Sequence, residues 1–246
     1  MTNSSAISTL AVTVISSLAG LIPIAVGLTA VKLTGRSRTA LSVYAPALSL
    51  GIVLSTFYDL LQETAGLQLG ALNPIPQAVT VILFLIGLLV LRLVPGKISR
   101  NEALPLVYGW AIGIGLHGFG EGIVIGYGFI SGQPALSNVT QILSYGLHKI
   151  GEGFTLGTLL ALSNQESKGW SVSGLVAGLP VGLGGALGFL SILAELTTYA
   201  FAIGAGFTAY FIIHFSRLLP TGKRFVYGAV AAGFLFMYLA GMLHQF

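Results

Sequence analysis

Four residues carry the chemistry open to this chain: His117, Glu121, His148 and Glu152. They fall in two matching segments, LHGFGEGIVIG at 116–126 and LHKIGEGFTLG at 147–157, which align at an offset of 31 residues with six identities. In each copy the histidine precedes the glutamate by four residues, so on an α-helix the two share one face and can hold an ion between them. Two such faces brought together offer two imidazoles and two carboxylates. That donor set suits Zn²⁺ and also serves Fe²⁺, Mn²⁺, Co²⁺ or Cd²⁺. One His–Glu pair alone is equally well a helix–helix hydrogen bond; the duplication is what points to a site.

The elements that must position these residues are membrane helices. Of 246 residues, 54% are hydrophobic and only 7% charged, and the mean hydropathy is +0.91. Soluble domains carry about 25% charged residues, so ordinary soluble classes are excluded. With zero cysteines, disulfide frameworks and thiolate metal sites are excluded too. Apolar runs predict eight spans in one transmembrane domain over 1–246, at about 7–31, 40–62, 76–94, 103–130, 138–162, 171–193, 195–217 and 222–244. The first run follows a neutral leader without a basic region and reads as a retained helix rather than a signal peptide. Glu195 marks the turn between the sixth and seventh spans. The repeated segments then lie in spans four and five, where ionisable side chains are expensive and mark function. Because successive spans cross in opposite directions, the two copies would be related by an approximate two-fold axis in the membrane plane. Span four is also dense in glycine, which predicts a bent helix beside a cavity.

Other polar positions are less specific. Lys149, next to His148, points about 100° away from the ligand face; it either contacts Glu121 or Glu152 or snorkels towards a wet cavity. Asp59 and Glu63, four apart near the end of span two, are either entrance residues or interfacial ones. Ser144 and Thr155 are lining or packing hydroxyls. His214 is a candidate exit residue or an interfacial one beside Arg217, and His244 is a weaker candidate still. Pro23, Pro46, Pro105 and Pro180 are potential kinks.

The two central motifs, His117-Gly-Phe-Gly-Glu121-Gly122 and His148-Lys-Ile-Gly-Glu152-Gly153, resemble those of the ZIP family of divalent metal transporters, and the resemblance extends over nearly the whole chain. It includes Phe57-Tyr58-Asp59-Leu60-Leu61-Gln62-Glu63 where relatives commonly have His-Leu-Leu-Pro-Glu. It implies an all-α fold of eight helices in a 3+2+3 arrangement with inverted-repeat pseudo-symmetry. It further implies one mononuclear metal site from His117, Glu121, His148 and Glu152. The chain departs from the family at Gly118 and Lys149, where members with a binuclear centre have further ligands, and its sixth span has no acidic residue. Lys149 would then put its ammonium where a second cation otherwise sits.

The expected function is therefore transport of a divalent metal, Zn²⁺ foremost, towards the cytoplasm, with the metal as substrate and neither organic cofactor nor enzymatic activity. No nucleotide-binding G-x-x-x-x-G-K-[ST] motif occurs. A membrane metal sensor or transport-inactive homologue is the alternative; an intramembrane metal-dependent hydrolase is a third, although no H-E-x-x-H pattern is present. The partners expected are the metal ion, membrane lipid and a second copy of the chain, but not nucleic acid; the location is a prokaryotic plasma membrane. Ten of the eleven Lys/Arg follow spans one, three, five and seven. By the positive-inside rule these loops are cytoplasmic and both termini outside. Single cysteines introduced at positions 36 and 97 of this cysteine-free chain should be labelled from the same, cytoplasmic, face. Labelling from opposite faces would refute the topology.

Overall fold

The computed structural model describes residues 8–34, 43–66, 74–93, 103–132, 136–137, 139–191, 195–219 and 224–243. All their regular structure is helical: α1 (Thr9–Thr34), α2 (Ala45–Gly66), α3 (Pro74–Leu93), α4 (Ala103–Ser131), α5 (Val139–Leu162), α6 (Ser167–Gly178), α7 (Pro180–Phe189), α8 (Glu195–Phe215) and α9 (Arg224–Met242). By length and composition, four stretches can cross a membrane: Thr9–Thr34, Ser167–Phe189, Leu196–Phe215 and Phe225–Met242. The polar residues that α2, α4 and α5 carry lower their hydropathy, and α3 is apolar over the shorter Ile75–Val90. The expected span ends at 7, 40–42, 94, 138, 192–193, 222–223 and 244 lie outside the described residues, as do Arg36, Arg38, Lys97, Arg100, Lys223 and His244.

One expectation is corrected. The sixth span is broken, with α6 and α7 meeting at Leu179, and it starts at Ser167 instead of 171, placing Lys168 in its first turn. The break follows from Pro180, which has no N–H to donate and opens α7 at its first turn; Leu179 keeps helical angles (φ −63, ψ −34), so the chain continues without a loop. Span four is one continuous helix of 29 residues, and it borders a cavity as expected. Its glycines serve close packing on two sides. A Cβ at Gly122 or Gly126 would strike the backbone of α7, and one at Gly120 would strike the Phe201 ring of α8. Pro23 lies inside α1 without interrupting it, while Pro46 and Pro105 fall in the first turns of α2 and α4.

Glycine contacts also record helix direction. Phe119 and Ile123 of α4 meet Gly184 and Gly188 of α7, so the two run the same way; Ile24 and Leu28 of α1 meet Gly153 and Gly157 of α5, again in the same direction. Gly20, Ser17 and Ser16 of α1 meet Gly178, Gly182 and Gly185, so α1 opposes α6 and α7. The crossings share parts as well. Gly122 sits on the Val181 carbonyl and Gly153 on that of Ile24, while Gly184 sits on the Phe119 carbonyl and Gly27 on that of Ile150. Further out, Gly51 sits on the Val230 carbonyl and Gly206 on that of Phe84; Gly233 sits on Leu48 and Gly87 on Ile203. Small residues at such points let backbones approach where lipid gives no hydrophobic drive between helices.

An apolar cluster fills the end where α4 begins and α5 and α8 finish, with Trp110, Ile114, Leu156, Leu159, Phe211 and Phe215 at its centre. Gly122→Val and Gly153→Val should each destabilise the bundle by about 1–3 kcal/mol or more through overpacking, whereas Gly146→Ala and Gly228→Ala, with nothing within 4 Å of the added carbon, should be silent. Thermal unfolding of detergent-solubilised variants checks this; equal stability of the two sets would contradict the packing.

Candidate metal centre and its vestibule

The α4 and α5 repeats meet. His117 and Glu121 project from α4, and His148, Lys149 and Glu152 from α5, onto one buried cluster. Glu152 Oε1 lies 3.0 Å from His117 Nδ1 and 3.3 Å from His148 Nε2. At these distances they form ion pairs when an imidazole is protonated, yet all three atoms are buried and have no hydrogen-bond partner among the described residues. Buried polar atoms are paired in the great majority of cases, and an exception asks for a ligand, a water or an ion. Here the unpaired atoms belong to two imidazoles and a carboxylate that lie within 4.8 Å of one another, so this group could hold a metal ion.

Glu121, expected as the fourth ligand, is engaged elsewhere. Its Oε1 is 3.4 Å from His117 Nε2, while its Oε2 is 2.5 Å from the Lys149 ammonium. Lys149 is wholly buried and also reaches Glu152 Oε2 at 2.8 Å. Of its two readings, the structure has the carboxylate contact and not the snorkelling one. The i, i+3 spacing to Glu152 and the four-carbon stem bring the ammonium back across the helix face from which its Cα points away. Gly118 lies beside it; a Cβ there would make an ordinary contact with Nζ at 3.7 Å but would crowd Val181 Cγ2 of α7 at 2.9 Å.

Several supporting residues lie outside those that the sequence singles out. Tyr145, one turn before Lys149 on α5, lies with its hydroxyl 3.5 Å from Glu121 Oε2 and its ring 5.8 Å from the ammonium. Phe201 of α8 stands edge-on to the His117 ring at 5.6 Å, and the two histidine rings are T-shaped at 5.4 Å. Trp110 Nε1 donates to the Glu152 carbonyl at 3.2 Å and packs against Phe211. The spacing of Tyr145 from Lys149 could have pointed to it; Trp110 and Phe201 reach the site only through the fold.

A cavity of about 700 Å³ leads to the cluster, bordered by His117, Glu121 and His148 at its inner end. Asp59 and Glu63 line it, as do Ser144 and Tyr238, so the expected entrance pair faces the same space as the site. Ser144 nonetheless donates its hydroxyl to the Ala240 carbonyl at 2.7 Å. Thr155 lies below, fully buried, its hydroxyl without a partner. His214 is outside the cavity lining; its Nδ1 is 2.8 Å from the Tyr210 carbonyl on its own helix, and the two rings stack at 3.9 Å. The cavity opens among the last turns of α2 and α9 and the first turns of α8, whereas the apolar cluster closes the opposite end. At that closed end Lys32 lies over the Trp170 ring at 4.7 Å, which puts the end of α1 beside the start of α6, where Lys168 stands.

No protein-family model matches the chain, and no curated protein is significantly similar to it.

Water-soluble thiol reagents should modify Gln62→Cys and Val124→Cys rapidly, both on the cavity wall, and leave Ile114→Cys and Leu159→Cys intact in the folded protein. Rapid modification of the second pair would show that the apolar end is open.

Proposed function

We propose that this chain is a carrier of divalent transition-metal cations, Zn²⁺ foremost and also Cd²⁺, Fe²⁺ or Mn²⁺, related to the ZIP transporters. The carrying observation is the buried trio His117 Nδ1, His148 Nε2 and Glu152 Oε1, without hydrogen-bond partners among the described residues, whose two histidines border a cavity. Two imidazoles and a carboxylate make a donor set suited to Zn²⁺, and the adjoining cavity would give an ion a route to them. Asp59 and Glu63 on the cavity wall would gather cations before they reach these donors, and the apolar cluster would hold the far end shut until the helices rearrange.

The matched glycine crossings support eight spans in 3+2+3 order. Exchanging α1 with α6–α7, α2 with α8, α3 with α9 and α4 with α5 turns each of those contacts into another of the set. Such pseudo-symmetry around a central site is common in secondary carriers, which expose the site to each face in turn. The positive-inside pattern then makes the vestibule the outer one and transport inward. Two imidazoles and a carboxylate beside open space also describe a hydrolytic zinc site. The carboxylate best placed to be its base, Glu121, is tied to Lys149, which disfavours that reading.

Purified protein in sealed vesicles should take up Zn²⁺ or Cd²⁺, and His117→Ala, His148→Ala and Glu152→Gln should each cut the initial rate by about tenfold or more. Metal binding without flux would turn the assignment to a sensor, and absence of both would reject it.

A further inference from the structure

We propose that Lys149 is a built-in cation that withholds Glu121 from the transported ion, leaving a three-donor cargo site that holds one divalent ion loosely enough to release it. This rests on the metal-carrier reading and adds to it what sets the strength and number of bound ions.

The geometry of the two carboxylates carries the proposal. Glu152 is divided: Oε1 faces the two imidazoles and Oε2 faces the ammonium, so cargo and Lys149 share one carboxylate from opposite oxygens. Glu121 gives its Oε2 to the same ammonium. Its remaining oxygen lies on the far nitrogen of His117, the Nε2 side, whereas the cargo trio uses Nδ1. Glu121 therefore cannot join the trio without leaving Lys149 or turning the His117 ring. The ammonium also draws charge from Glu152, which makes that carboxylate a weaker donor. Formal charge points the same way. Two carboxylates and one ammonium carry one net negative charge; a divalent ion brings this to plus one, and a second would bring it to plus three in a site shielded from water, where like charges repel strongly.

Carriers gain from this arrangement because a tightly held ion leaves slowly: binding energy spent equally on every state of the cycle deepens the resting complex and slows turnover. A four-donor site of two histidines and two glutamates would hold Zn²⁺ more firmly than three donors of which one is partly neutralised.

The test measures Cd²⁺ and Zn²⁺ affinity, ion stoichiometry and vesicle uptake for the wild type, Lys149→Met and the double variant Lys149→Met/Glu121→Gln. Lys149→Met should bind the metal about tenfold more tightly, on the scale of outer-shell effects on metal sites, and turn over more slowly at saturating metal. The double variant, which removes both members of the pair, should return to near wild-type affinity because the freed ligand is gone. A purely structural role for Lys149 would not produce tightening that Glu121→Gln reverses. Should Lys149→Met not fold, anomalous diffraction from Cd²⁺-loaded wild-type crystals decides: one ion on His117, His148 and Glu152 with Glu121 still on Lys149 supports the proposal. Glu121 coordinated to Cd²⁺ in the wild type, two bound ions, or unchanged or weaker affinity in Lys149→Met would overturn it while leaving the carrier reading intact. Wild-type protein that binds no divalent metal at these residues would overturn both.

Discussion

Two carboxylates cannot stand side by side in a medium that solvates them poorly unless cations stand with them. Glu121 and Glu152 meet this constraint through one shared ammonium, and nearly every other feature of the centre follows from it. Lys149 must be buried to reach both, and α4 and α5 must come close enough for one side chain to span them. Removing one partner of such a buried pair leaves an uncompensated charge, typically worth about 3–5 kcal/mol. Glu152 Oε1, His117 Nδ1 and His148 Nε2, which the ammonium does not reach, are then left facing one another without hydrogen bonds among the described residues, and these are the atoms that could hold a metal.

Glycine is the second organising principle, and it acts at a distance from the polar cluster. Gly122 and Gly153 press α4 and α5 onto α7 and α1, so each ligand-bearing helix is braced from behind by a partner running in the same direction. The ligands can therefore be set at their mutual distances by backbone contacts and not by flexible side chains. Phe201 and Trp110 complete the brace, the one against the His117 ring and the other on the backbone of Glu152.

Much of this was legible in the sequence because it is written in local spacing. The i, i+4 pairs of His117 with Glu121 and His148 with Glu152 need only a helix to be read, and the apolar runs bounded by charge place most helix ends within a few residues. What escaped was set by contacts between distant segments. Lys149 points away from the ligand face on a helical wheel, yet its stem length overrides the angle of its Cα–Cβ bond once Glu121 is brought opposite. The glycines of α4 suggest a bent helix beside a cavity when counted along the chain; that they are divided between two packed neighbours, α7 and α8, is set by the fold. Pro180 gave the sign of a break, but that Leu179 remains helical through it is decided by the packing of α6 and α7 on α1.

The indole of Trp110 gives the centre a mechanical property. A carbonyl within a helix already accepts the bond of the following turn, so the indole N–H takes the second lone pair of Glu152 and ties a ligand residue's own backbone to a ring packed on Phe211. Phe211 in turn stacks on Phe215 at the closed end of the bundle. A displacement of the aromatic seal is thus felt as tension on the peptide that carries the central carboxylate, and a shift of that peptide is felt as slack in the seal. One hydrogen bond makes the polar floor and the apolar barrier parts of the same lever.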